Sequence, residues 1–237
     1  MSDVVCVLGM MRTGTSLVAG ILDRLGVRFG PEDQLLKANR ANPTGFWEHR
    51  GIIALNDEIL ARLGGSWHSP PKRAKGWEGS AELADLRERA ESLVRSDFPA
   101  GRWGWKDPRT CLTLPFWQLL VPGLRHVICV RRPIDTARSL ERMPWAGREL
   151  SAPLEQALEL WSRYTRDAIA ATEGHPRLVV WYEDVLAGPR TEVARLAGFV
   201  HRAGALESSE VEGGIREFVQ LRDQPPADLA RVVLALG

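Results

Sequence analysis

The chain has 237 residues, 44% hydrophobic and 26% charged, with 31 Lys and Arg against 30 Asp and Glu. These values fit a single domain over residues 1–237 with one sizeable core, and they exclude a wholly disordered chain. A net charge of +1 argues against a general nucleic-acid or membrane-surface binder, so an anionic ligand has to be gripped by a local cluster of donors.

Met1-Ser2-Asp3 forms no basic lead-in, and no stretch approaches the roughly 20 apolar residues that cross a bilayer. A cytoplasmic protein without membrane insertion is expected. The three cysteines include Cys6 and Cys129, which lie inside short apolar runs, and none stands at metal-ligand spacing from the five histidines. Buried, reduced thiols and no bound metal follow from that placement.

In chain order, the apolar run Val4–Leu8 ends at Gly9 and reads as a strand. After a turn over residues 10–16, Leu17, Val18, Ile21, Leu22 and Leu25 recur at helical spacing. Residues from about Gly64 to Gly79 carry paired glycines, paired prolines and three basic side chains without periodicity, which predicts a long surface loop. With the helix expected over Ala81–Val94, this loop makes an insertion over about residues 64–100, placed near the acceptor side of the site. Short apolar runs at Arg102–Trp105, His126–Val130 and Leu178–Trp181 suit strands covered on both faces. Helical patterns at Ala152–Thr172 and Thr191–Val200 fall after and between them. Alternating strand and helix predicts an α/β fold, three layers deep around a central parallel sheet.

Gly9-x4-Gly14 followed by Thr15 and Ser16, after a strand and opening a helix, has the setting of a phosphate-binding turn. Unpaired backbone N–H groups and the helix dipole both favour an anion there. The nucleotide-kinase version carries Lys after the second glycine to reach a metal-bound triphosphate. Here Thr15 fills that place, and Arg12 is the cation within the turn.

Met11-Arg12-Thr13-Gly14-Thr15-Ser16 resembles the phosphosulfate loop of bacterial sulfotransferases that use 3′-phosphoadenosine-5′-phosphosulfate (PAPS). The resemblance implies that Thr13, Gly14, Thr15 and Ser16 hold the 5′-phosphate and that Arg12 stabilises the leaving oxygen. Arg131-Arg132-Pro133, with Ser139 eight residues after Arg131, looks like the family's 3′-phosphate motif. Read from the residues alone, Arg131 at a strand end offers a forked donor suited to phosphate. Tyr182-Glu183-Asp184 is similar to the family's Tyr-Glu-Asp strand end, which implies that Tyr182 meets adenine and that the acids bind no metal.

Sulfuryl transfer needs cations on the leaving side and a base at the incoming hydroxyl. Lys106, at the end of a predicted strand, resembles the family lysine near the transferring group. By resemblance Glu48 is the first candidate base, His49 the second, and Asp107 the third. Arg109 is either a second donor or a partner for Asp107. The C-terminal Arg-Lys-Gly clamp of the cytosolic aryl enzymes has no match; Gly213-Gly214-Ile215-Arg216 does not supply one. The implied acceptor is a hydroxyl of a small molecule, carbohydrate or natural product. Two other readings stay open, a P-loop kinase of nucleotides or small molecules and a non-catalytic nucleotide-binding module. Nine tryptophans are many for this length; Trp47, Trp67, Trp77, Trp103 and Trp105 lie near the predicted mouth, with core and lid packing preferred over a ligand pocket.

Overall fold

The computed structural model describes residues 4–39, 42, 44–98, 101–143 and 153–200. Four strands, β1 (Val4–Leu8), β2 (Trp103–Lys106), β3 (Arg125–Val130) and β4 (Arg177–Trp181), form one sheet in the order β2-β1-β3-β4. Every pairing is parallel; Val7 stands opposite Lys106 on one side and Val127 on the other. The expected strands therefore appear, shifted by a residue at most.

Parallel strands need crossovers, and these supply the helices. Between β1 and β2 run α1 (Thr15–Arg24), α2 (Arg50–Arg62) and α3 (Ala84–Asp97). Next comes α4 (Thr110–Leu120), between β2 and β3. After β3 follow α5 (Pro133–Glu141) and α6 (Pro153–Ala171); after β4, α7 (Tyr182–Ala187) and α8 (Pro189–Val200). Strand alternation splits the core in two. Cys6, Leu8, Ile128 and Val130 pack with side chains of α2 to α6, whereas Val5, Val7, Val127, Cys129 and Val180 pack with α1 and α8. This is the three-layer α/β/α arrangement. Truncating a fully buried leucine such as Leu22 or Leu112 costs about 2–5 kcal/mol in such layers.

Helix α4 departs from the sequence reading, which placed nothing there. Its segment TCLTLPFWQLL is apolar on nearly every side and holds Pro115, so it shows neither a polar face nor a clean period. The helix survives because neighbours bury it: Cys111, Leu112, Leu114, Phe116 and Trp117 are all in the core.

The 64–79 segment is pinned down. Arg73 bonds Leu112 O and pairs with Asp167 on α6, while Arg163 donates to Pro71 O at 3.2 Å. Tyr164 donates its hydroxyl to Trp67 O at 2.8 Å. Trp67, Trp103 and Trp105 are buried. Phe98, Trp103, Trp105, Trp117 and Phe116 form a continuous aromatic stack with centroid spacings of 4.5, 5.9, 5.4 and 5.6 Å. Trp47 and Trp77 are half-buried.

Candidate active site

The sheet order changes direction at β1, whose neighbours on its two sides are β2 and β3. Loops leaving the C-terminal ends of these three strands therefore converge, which is where open α/β sheets bind ligands. The turn after β1 runs over residues 9–14 into α1. Gly9 has φ 141°, and a Cβ there would stand 2.6 Å from Cys129 O and 2.7 Å from Thr13 Oγ1. Its N–H donates to Cys111 Sγ at 3.0 Å, which ties the turn to α4. Gly14, at φ 90°, is the N-cap of α1 and offers no side chain to its first N–H groups. The α1 N-terminus is thus uncapped and carries its partial positive charge toward the turn.

Cations surround that end. Arg12 adopts φ 72°, a left-handed conformation rare outside glycine. Its Nε donates to Ser139 Oγ at 2.9 Å, so the two predicted anion-binding segments touch across 127 residues of sequence. Arg131 donates from Nη1 to Arg12 O at 3.3 Å and lays its guanidinium 4.5 Å from the centroid of the Tyr182 ring. Tyr182 in turn lies where a Gly14 side chain would be, 2.5 Å from the position of its Cβ. One tyrosine ring thus joins the turn after β1 to the turn after β3. Burial first, and the Arg131 charge second, push the Arg12 guanidinium below the usual arginine range. Among the described residues neither Arg12 nor Arg131 has a carboxylate partner within salt-bridge distance. An anion would relieve both the burial and the mutual repulsion.

Thr13 donates its hydroxyl to Met10 O at 2.7 Å and holds the turn closed. Ser16 accepts from Lys106 Nζ at 3.2 Å and from Asn42 Nδ2 at 3.3 Å. Lys106 is 1% exposed, and its ammonium forms an ion pair with Glu48 Oε1. The first-choice base and the strand-end lysine therefore share one site with the phosphate turn.

The other two base candidates are engaged elsewhere. His49 caps α2, accepting the Gly51 N–H on Nδ1 at 3.2 Å. Its Nε2 sits 3.0 Å from Asp97 Oδ2, and its ring leans on Phe98 at 5.3 Å. Burial pushes its pKa down, against the pull of Asp97. Asp107 accepts from Asn56 Nδ2 at 2.7 Å and from Arg109 Nη1 at 2.8 Å. Arg109 also pairs with Asp57 at 2.6 Å, so it is the partner of Asp107 and Asp57.

Arg132 turns away from Arg131: its backbone N–H and Nε both reach Glu183 Oε1, at 3.0 and 3.4 Å. Glu183 and Asp184 fall in the first turn of α7, where acids suit the helix dipole. Among the described residues no group of three or more His, Cys, Asp or Glu side chains is gathered as metal ligands would be, and no helix is long and apolar enough to cross a membrane. Gly213 to Arg216 lie outside the described residues. Asn42, which sequence reasoning did not single out, bonds both Gly45 in its own turn and Ser16, 26 residues away, a contact that no local pattern announces.

Residues 4–203 match the family model described as the Sulfotransferase family. Among solved structures, sulfotransferase STF9 from Mycobacterium avium is 18% identical, with 94% of this chain and 69% of that chain covered, at a TM-score of 0.57. The sulfotransferase domain from the curacin biosynthetic pathway is 14% identical over 89% and 77%, at a TM-score of 0.53. At such identities the likeness is one of fold. No curated protein matches the sequence. Because the family match runs from β1 through α8 and takes in both the phosphate turn and the β3 turn, the chain belongs to the sulfotransferase family, and the enzyme is a sulfotransferase.

Proposed function

We propose that the enzyme transfers the sulfuryl group of PAPS to a hydroxyl of a small-molecule, carbohydrate or natural-product acceptor. One observation carries the choice of donor: two adjacent arginines without carboxylate partners flank an uncapped helix N-terminus. That donor set suits phosphate groups at both ends of a doubly phosphorylated adenosine. A kinase reading would need a cation in place of Thr15 to meet a metal-bound triphosphate.

PAPS supplies an activated sulfuryl group: a bond forms from the acceptor oxygen to sulfur as the bond from sulfur to the 5′-phosphate oxygen breaks. Backbone N–H groups from Gly14 to Ser16, with the Thr15 and Ser16 hydroxyls, hold the 5′-phosphate, and Thr13 keeps their turn closed. Arg12 meets the charge that grows on the leaving phosphate. Arg131 and Ser139 take the 3′-phosphate, and Tyr182 offers its ring to adenine. Lys106 balances charge beside the reacting group, and Glu48 receives the acceptor's proton. The engagement of His49 and Asp107 elsewhere supports Glu48 in that role. Residues 64–98 border the acceptor side in this reading.

The test is transfer from radiolabelled PAPS to a library of hydroxyl acceptors. Wild-type protein is expected to label at least one class. Arg12→Ala is expected to lose 10²–10³-fold in turnover at donor saturation, the scale on which one transition-state donor acts. A loss below threefold would remove Arg12 from the chemistry.

A further inference from the structure

Asn42 sits at 7% exposure with almost every polar group engaged. Its backbone N–H reaches Asn39 O at 3.0 Å and Asn39 Oδ1 at 3.1 Å, and its carbonyl accepts the Gly45 N–H at 3.2 Å. Its Oδ1 accepts from Thr44 at 3.4 Å. The carboxamide NH₂ donates in two directions, to Ser16 Oγ at 3.3 Å and to Gly45 O.

Those two bonds close a ring. Asn42 bonds Ser16, Ser16 accepts from Lys106, Lys106 pairs with Glu48, and the chain from Glu48 back to Gly45 returns to Asn42. The ring joins the first turn of α1, the segment between α1 and α2, and the end of β2. Its backbone arc is strained: Trp47 adopts φ 55°, and only Trp47 and Arg12 among the described non-glycine residues have positive φ. A bulky residue keeps that conformation only when its surroundings over-determine it. On the far side, Leu36 N–H holds Glu48 O at 2.9 Å. On the near side Asn42 holds Gly45, donating to its carbonyl and accepting its N–H at 3.2 Å.

We infer that Asn42 is a positioning residue for Glu48: its carboxamide clamps the strained 45–47 turn to the phosphate loop, which sets the carboxylate beside Lys106. This rests on Glu48 as the base.

The experiment is a double-mutant cycle in the labelled-PAPS transfer assay, with adenosine 3′,5′-bisphosphate titrated by calorimetry as a separate readout. Asn42→Asp keeps the shape and removes both donors; Asn42→Ala is the second variant, and thermal melts check that each is folded. Each is expected to lower turnover at donor saturation about 10–100-fold, the scale of a misplaced catalytic group. Bisphosphate affinity should stay within about threefold, and neither variant should lose more when combined with Glu48→Gln, because the two act through one group. Equal losses with and without Glu48→Gln overturn the inference, as does no loss, or a loss matched by weaker bisphosphate binding. Glu48→Gln at wild-type turnover, or a wild type that transfers nothing, instead defeats the base assignment and this role falls with it.

Discussion

Lys106 and Asp107 follow one another at the end of β2, both out of reach of solvent, yet their partners are of opposite kinds. Around Asp107 every charge is answered: Asn56, Arg109 and its own turn bond the carboxylate, Thr113 and Trp117 donate to Asn56 Oδ1 at 2.6 and 2.8 Å, and Asp57 closes the cluster through Arg109. Around Lys106 the charges do not balance. Lys106 pairs with Glu48, but among the described residues Arg12 and Arg131 face the same site without a carboxylate, and the two left-handed non-glycine residues, Arg12 and Trp47, flank it. A buried polar cluster that is complete in itself serves the fold. One that is short of an anion, with strain built into its loops, serves a ligand.

Substitution of the two neighbours is the strongest way to break this contrast. Asp107→Ala strands Asn56 and part of the Arg109 charge in the core, and the expected cost is about 3–5 kcal/mol of stability by denaturant titration. Lys106→Ala takes the ion-pair partner from Glu48, but that carboxylate is 12% exposed and can recover water, so its stability cost is expected to be below that of Asp107→Ala, while transfer falls about 10²–10³-fold. If Lys106→Ala unfolds the protein and Asp107→Ala spares it, the division between the clusters is wrong.

A somewhat smaller effect separates acid unfolding from events in the site. His126 in β3 is buried, with Nδ1 3.3 Å from Pro176 O and Nε2 without a hydrogen-bond partner among the described residues. Burial lowers its pKa to about 4. The folded value lies below the unfolded one of about 6.5, so the stability it contributes is complete above pH 6.5 and is lost as pH falls through 4. The loss is about 3 kcal/mol over that interval. His126→Phe should flatten the acid limb of stability against pH, leaving the shallower slope of His49, whose pKa is shifted the same way. An unchanged limb would show that His126 does not set it.

The parts of this contrast were unequally legible in sequence. The strands could be read because parallel strands buried on both faces are continuous apolar runs, such as Val4–Leu8. The phosphate turn could be read because its glycines and hydroxyls are contiguous. Helix α4 hid because it is apolar on nearly every side and so shows no polar stripe, and its proline argued against it. The pairing of Lys106 with Glu48 spans 58 residues and that of Asn56 with Asp107 spans 51, so no local pattern announces either. The sequence could name Arg109 as a second donor or as a partner for Asp107; its ion pairs with Asp107 and Asp57 decided between them.

The central claim is that two anion pockets, joined through Tyr182 and Arg12, grip both ends of one nucleotide. Its most direct test is a magnesium-free calorimetric titration of adenosine 3′,5′-bisphosphate into wild-type protein and Arg131→Ala. The account predicts saturable binding without metal, weakened about 10–100-fold by the substitution, as the loss of a charged hydrogen bond requires. No binding, an unchanged dissociation constant in Arg131→Ala, or turnover of ATP that depends on magnesium would contradict it.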